Sequence, residues 1–114
     1  MKIVRITAVL RENEANGNEN QIVFVFGLNS EDRIVSGQWF GYTKNEENLD
    51  PFILENAKSC RYGGQDDYSE SINIGEKNIS VCTMFTVWSA DGASPKMEHT
   101  YEITYVHDYS QIDK

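Results

Sequence analysis

The sequence begins with two apolar segments that have the patterns of β-strands. From Lys2 to Leu10 the residues alternate, with every second residue from Val4 onwards apolar, as in a strand with one buried face. The segment Gln21 to Leu28 contains the run IVFVF and is apolar on both faces, which favours a position near the centre of a sheet. These two segments predict an antiparallel pair joined by a polar loop.

Further along the chain, apolar and aromatic residues again recur at every second position, which is typical of strands. In the last segment, alternation predicts that His99, Tyr101, Tyr105 and His107 share one face. The predicted additional strands are Arg33 to Tyr42, Ser71 to Ile74, Ile79 to Ser89 and Met97 to His107.

One segment between these strands predicts a short helix. Asp50 and Pro51 have the residue types of a helix N-cap and a first helical position, so we expect a helix from about Pro51 to Ser59. The following residues, Arg61 to Glu70, contain Gly63-Gly64 and two aspartates and predict an exposed loop.

The chain length and these elements together define the expected fold class. At 114 residues the chain has the usual size of one domain, and no internal repeat divides it. We therefore predict a single β-rich domain over residues 1–114, mainly β with a minor α+β character. The expected architecture is an antiparallel β sandwich or open barrel of about six strands with one short helix.

Charge narrows the classes of partner. Lys and Arg number 10 against 18 Asp and Glu, so the formal net charge is −8. Nucleic acids and anionic membranes require clustered basic residues, and we therefore expect neither as a partner. Solubility and recognition of a basic protein are two explanations of the acidity. The start of the chain lacks a signal-peptide pattern and no segment is long enough to span a bilayer, so we expect a cytoplasmic protein.

The residues that usually carry chemistry form no recognisable motif. Cys60 and Cys82 lie 22 residues apart without a CxxC pair, and we expect two reduced thiols, with Cys82 packed in a strand. His99 and His107 are eight residues apart on one predicted strand, about 26 Å in an extended chain, which is too far for one metal ion. No nucleophile motif is present. We expect no enzymatic activity, no metal and no cofactor.

The leading hypothesis is a protein-binding inhibitor of the immunity or antitoxin kind that neutralises a basic partner such as a toxin nuclease. A small acidic domain with aromatic residues beside acidic loops suits this class, because charge steers the encounter and aromatics supply buried contacts. The predicted partner-binding residues are Trp39, Tyr42, Glu46, Glu47, Asp50, Asp66, Asp67 and Glu70.

Two other hypotheses come from different classes. A small-ligand or carbohydrate-binding module would use Trp39, Tyr42, Tyr101 and Tyr105 around a barrel mouth or sheet face, since such sites combine apolar walls with a few polar groups. An accessory subunit would instead pair with itself through an edge strand. The sequence does not constrain the oligomeric state.

Overall fold

The chain forms a closed barrel of eight antiparallel strands. The computed structural model describes residues 1–11, 20–45, 48–63, 68–88 and 98–109. Consecutive strands pair with each other around the barrel, and the last strand pairs with the first. The strands are β1 (Lys2–Leu10), β2 (Gln21–Leu28), β3 (Gln38–Lys44), β4 (Leu49–Glu55), β5 (Ser59–Tyr62), β6 (Tyr68–Ile72), β7 (Met84–Trp88) and β8 (Glu98–Asp108).

The mainly β, antiparallel prediction is confirmed, but the sheet is closed and has eight strands instead of about six. Closure comes from the pairing of β1 with β8, which runs from Val4 opposite Asp108 to Leu10 opposite Tyr101. This contact joins segments about a hundred residues apart, so no local pattern indicates it. Each described strand has neighbours on both sides, which leaves no edge strand for the self-association considered above.

The predicted helix from Pro51 to Ser59 is wrong. Residues Leu49–Glu55 form β4, and β5 already starts at Ser59. Pro51 pairs with Tyr42 on β3 but precedes the pairing of β4 with β5, which starts at Phe52. A proline is tolerated at such a position because only one side of the strand needs a ladder hydrogen bond.

Helical structure in the described ranges is limited to short 3₁₀ geometry. The principal turn of this kind is Ile74–Glu76, between β6 and β7. Within the same ranges, no helix is long and apolar enough to cross a membrane.

Two predicted strands start later than expected, and one predicted loop contains strand residues. β3 starts at Gln38 instead of Arg33, and β7 starts at Met84 instead of Ile79. The Ile79 N–H donates to the Asp32 carbonyl oxygen at 2.8 Å, so the segment before β7 is hydrogen-bonded to the connection between β2 and β3. The predicted loop at 61–70 includes the end of β5 and the start of β6, while residues 64–67 lie outside the described ranges.

The prediction that Cys82 packs in a strand is wrong. Cys82 is exposed with a φ of 76°, in a turn that precedes β7. Its N–H donates to the Ile103 carbonyl oxygen at 2.8 Å. Cys60 is buried, and the two thiols are free.

A bulge in β8 separates residues that alternation predicted on one face. Thr7 pairs with Tyr105 and Ala8 pairs with Ile103, so the register shifts at Thr104. Ile103 is fully buried whereas Tyr105 is 47% exposed. Because an extra residue reverses the faces of a strand, Tyr105 and His107 lie on the outer wall while His99 and Tyr101 face the interior.

Apolar side chains fill the interior of the barrel. Phe24 lies at the centre, with its ring centroid 5.3 Å from that of Phe52, 5.7 Å from Phe26 and 5.9 Å from Phe85. Gly41 faces inward next to Phe52, where a Cβ would lie 2.6 Å from the Phe52 Cζ. Eight strands enclose a space just wide enough for such packing, so the middle of the barrel is a hydrophobic core.

The two ends of the barrel differ. At the closed end, where β2 finishes and β3 begins, Leu28, Ile74 and Ile79 are buried. The connections there are joined by hydrogen bonds from Ile79 to Asp32 and from the Asn78 side chain to the Glu31 carbonyl oxygen, the latter at 2.7 Å. We call the opposite end, where β1, β3, β5 and β7 finish, the polar rim.

Candidate functional site

A cleft opens at the polar rim, and its walls come from strands on opposite sides of the barrel. We call it the mouth cleft; its volume is about 210 Å³. Its lining is mostly polar, in contrast to the phenylalanine core below. The side chains that matter for its chemistry are Thr43 and Lys44 of β3, Tyr62 of β5, Glu70 of β6, and His99 and Tyr101 of β8.

A chain of hydrogen bonds crosses the mouth cleft. The Tyr62 hydroxyl bonds to both the Glu70 carboxyl group and the Thr43 hydroxyl. Since a tyrosine hydroxyl has one proton, and a carboxylate can only accept, Tyr62 donates to Glu70 and Thr43 donates to Tyr62. The order of strands brings these three residues together, because Tyr62 and Glu70 belong to the adjacent strands β5 and β6.

Burial shifts the pKa of the two central groups. Partial burial raises the pKa of Glu70, although the hydrogen bond from Tyr62 and the attraction of His99 lower it again in part. Burial and the nearby Glu70 charge raise the pKa of Tyr62, which therefore keeps its proton. The cleft thus contains a half-buried carboxyl group held by a neutral hydroxyl donor.

Cys60 lies below this chain and does not add a reactive thiol. Burial, with a further contribution from Glu70, raises the pKa of its thiol. Because the thiolate is the reactive form of cysteine, a buried protonated Cys60 behaves as a small apolar side chain of the core.

The structure brings some of the predicted partner-binding residues to the polar rim and separates others. Asp50 is exposed near the start of β4, and Glu70 lines the mouth cleft. Tyr42 lies on the outer wall, because its neighbours Gly41 and Thr43 face inward. Four predicted residues lie outside the described ranges: Glu46, Glu47, Asp66 and Asp67.

Trp39 is separated from this group along β3. It pairs with Leu54, whereas Thr43 pairs with Asp50, so about 13 Å of strand lies between Trp39 and the level of Asp50. Its ring packs against the core, and its indole N–H donates to the Val35 carbonyl oxygen at 2.7 Å. The structure therefore does not combine Trp39 with Asp50 and Glu70 in one surface.

The aromatic residues considered for a ligand or carbohydrate site are also dispersed. Tyr101 lines the mouth cleft and stacks on Phe85 with a centroid distance of 5.7 Å. Tyr105 lies on the outer wall beyond the bulge, stacked beside His107. Among these aromatics, Tyr101 is the one that contributes to the described cleft.

Sequence reasoning named Glu70 but did not identify Tyr62, Thr43 and His99 as parts of a site. A usable signal was the β5–β6 hairpin around Gly63-Gly64, which would have placed Tyr62 and Glu70 on the inner face of adjacent strands. The segment was instead predicted as a loop. His99 was considered from the sequence as a metal ligand, and the approach of His99 to Glu70 depends on the barrel fold.

The described residues contain no group of three or more His, Cys, Asp and Glu side chains placed to hold a metal ion. His99 and Asp108 lie towards opposite ends of β8, and His107 faces away from His99 because of the bulge.

The fold and the mouth cleft define the protein as an eight-stranded antiparallel barrel with one polar end. No protein-family model matches the chain, and comparisons with curated proteins and with solved structures gave no significant match.

Proposed function

We propose that this chain is a protein-binding inhibitor of the immunity or antitoxin kind, acting in the cytoplasm, whose polar rim binds a basic protein such as a toxin nuclease. The observation that supports this proposal is the distribution of charge between the two ends of the barrel. In an up-and-down barrel, connections join strand ends alternately at one end and the other, so the strand order assigns each connection to an end.

The connections that join strands at the polar rim are rich in acidic residues. Their basic residues are Arg11 and Lys96. Their acidic residues, whose side chains are outside the described ranges, are Glu12, Glu14, Glu19, Glu46, Glu47, Asp66, Asp67 and Asp91.

The connections at the closed end have balanced charge. They contain three acidic residues against three basic ones, namely Glu31, Asp32 and Glu76 against Arg33, Lys58 and Lys77. The acidic residues among the connections are therefore concentrated at one end of the barrel. This uneven distribution favours recognition of a partner over uniform solubilisation as the reason for the acidity.

The filled interior supports a surface-binding role. Phe24 and its aromatic neighbours occupy the middle of the barrel, where ligand-binding barrels of this size hold a small molecule. Binding through the rim instead suits electrostatic steering, which accelerates association towards about 10⁸–10⁹ M⁻¹s⁻¹ at low salt.

Matched capture experiments test the proposal. The tagged wild type is compared with a rim variant (Glu46→Gln with Glu47→Gln) and a closed-end variant (Glu31→Gln with Glu76→Gln). The two variants remove the same number of charges from opposite ends. From cytosol at low salt, we expect wild type and the closed-end variant to retain one stoichiometric basic protein that salt releases. The rim variant should retain less of it and associate more slowly.

The captured protein then provides the functional assay. If it is a nuclease or another toxin, addition of the wild-type chain should inhibit it at equimolar concentration. Equal retention by all three proteins, or no partner for a folded bait, would contradict the proposal.

A small-ligand or carbohydrate-binding module is the second candidate, and the mouth cleft with Tyr101 supports it. The cleft volume of about 210 Å³ is below the roughly 300–1,000 Å³ of pockets for drug-sized ligands. This candidate therefore requires a ligand no larger than a monosaccharide, and calorimetric titration with monosaccharides tests it.

A further inference from the structure

Among the described residues that line the mouth cleft, Glu70 is the one acidic side chain, and the others are neutral or basic. Glu70 is half-buried and accepts a hydrogen bond from Tyr62. It lies on the inner face of β6, one strand away from Cys60 of β5, with which it pairs. A carboxylate at the opening of an apolar barrel is costly unless it is paired, and the Tyr62 hydroxyl and the attraction of His99 offset only part of the effect of burial on Glu70.

We infer that the mouth cleft binds the ammonium or guanidinium end of a lysine or arginine side chain, which pairs with Glu70. This inference deepens the proposed function, and the assignment of that side chain to a basic partner rests on it. A partner approaching the acidic rim would thereby place one cationic side chain into the barrel mouth.

The geometry of the hydrogen bonds favours a cationic donor. A carboxylate has about four acceptor positions, and the Tyr62 hydroxyl donates to the carboxyl group of Glu70. Ammonium and guanidinium groups supply several N–H donors and form strong charge-assisted bonds with carboxylates. A neutral hydroxyl ligand would bring fewer donors and no charge.

The size and walls of the cleft suit the end of one side chain. A volume of about 210 Å³ accommodates a short alkyl stem with its charged group. Tyr62 and Tyr101 provide ring surfaces in the wall, and the methylene groups of lysine and arginine pack well on such surfaces.

Several other ionisable groups face the cleft together with Glu70. Lys44 of β3 lines the opening and is exposed, while His99 and Tyr101 of β8 and Tyr62 of β5 form the walls. Burial raises the pKa of Glu70, so the carboxyl loses its charge at a less acidic pH than usual. Cation binding should therefore weaken as pH falls.

An NMR titration with small cations tests the inference without the partner. The probes are n-butylammonium and methylguanidinium, with n-butanol as the neutral control. In the wild-type protein we expect saturable chemical-shift changes confined to residues of the cleft, including Tyr62, His99 and Tyr101. Glu70→Gln should weaken this binding at least about tenfold, the size expected for a lost hydrogen bond to a charged group.

Glu98→Gln is the matched control, because Glu98 is an exposed carboxylate at the same end and bonds to the Trp88 indole N–H. This variant should bind the cations like wild type. Shifts that spread over the rim without saturation, or that persist in Glu70→Gln, would overturn the inference.

A second measurement uses the unmodified protein, so that it does not depend on the folding of a variant. Wild type should lose cation binding on acidification while its NMR spectrum remains dispersed; binding that is unchanged at low pH would also overturn the inference. A positive titration with no protein captured from cytosol would sustain the cation site and reject the inhibitor. Conversely, the cation site would be rejected and the inhibitor sustained if a partner is captured that Glu70→Gln still binds normally and the wild type shows no saturable cation binding.

Discussion

The two ends of the barrel differ in the side chains that line them. At the closed end, buried Ile74 and Ile79 continue the core, and backbone hydrogen bonds tie neighbouring connections together. At the polar rim, the core gives way to hydroxyl, imidazole and carboxyl groups around a cleft. One end therefore continues the hydrophobic core, whereas the other presents polar groups around an opening, and the recognition proposed above would use this second end.

The largest expected effect comes from breaking the closed end. Ile74→Ala removes a fully buried side chain and should lower the free energy of unfolding by about 2–5 kcal/mol. Val81→Ala is the control, since Val81 belongs to the same connection but is 54% exposed, and it should change stability by no more than about 0.5 kcal/mol. Urea unfolding measures both, and equal losses would show that Ile74 does not act as part of the core.

Two glycines allow the tightness of packing at the two ends to be compared. At Gly75, at the closed end, a Cβ would lie 2.8 Å from the Ala57 Cβ and 2.9 Å from its carbonyl oxygen. At Gly63, next to the polar rim, a Cβ would meet nothing within 4 Å. Gly75→Ala should therefore cost about 1–3 kcal/mol through overpacking.

Gly63→Ala, in contrast, should leave the free energy of unfolding unchanged or slightly raised, because it restricts the unfolded chain. The midpoints of thermal unfolding of the two variants measure the difference. Equal destabilisation by both substitutions would contradict the contrast in packing between the ends.

The smallest effect, with the opposite sign, is expected at the polar rim. Because burial raises the folded-state pKa of Glu70, its protonated carboxyl favours folding below the unfolded pKa, and this contribution is lost as pH rises through the folded pKa. Glu70→Gln should therefore be more stable than wild type at neutral pH, and the gain should shrink as pH falls.

Urea unfolding at several pH values tests this prediction, with Glu98→Gln as a control for the loss of one negative charge at the same end. A gain that grows on acidification, or one that Glu98→Gln reproduces, would show that burial of Glu70 is not its cause.

Local patterns predicted parts of the fold in which each strand has a clear apolar face. The bounds of β1 and β2 match the prediction because alternation and the IVFVF run are strong signals. The β4 strand was missed because Asp50-Pro51 suits a helix start as well as the start of a strand. Barrel closure was not predictable, since the register between β1 and β8 depends on contacts distant in the sequence.

The candidate site was predicted only in part for the same reason. Glu70 could be named from its acidic surroundings, and Asp50 also lies at the polar rim. Tyr62 reaches Glu70 through the β5–β6 hairpin, but the approach of Thr43 and His99 to the cleft requires β3 and β8 to come near β6 across the barrel. No spacing within a single segment contains that information.

The seam between β1 and β8 also imposes an order on folding. During synthesis at about 5–20 residues per second, Val4 emerges on the order of 5–20 s before its partner Asp108. Until then β1 can pair with β2 but has one open edge, which is available to other chains. The barrel therefore closes last, and such non-local pairing is typical of slow-folding β proteins.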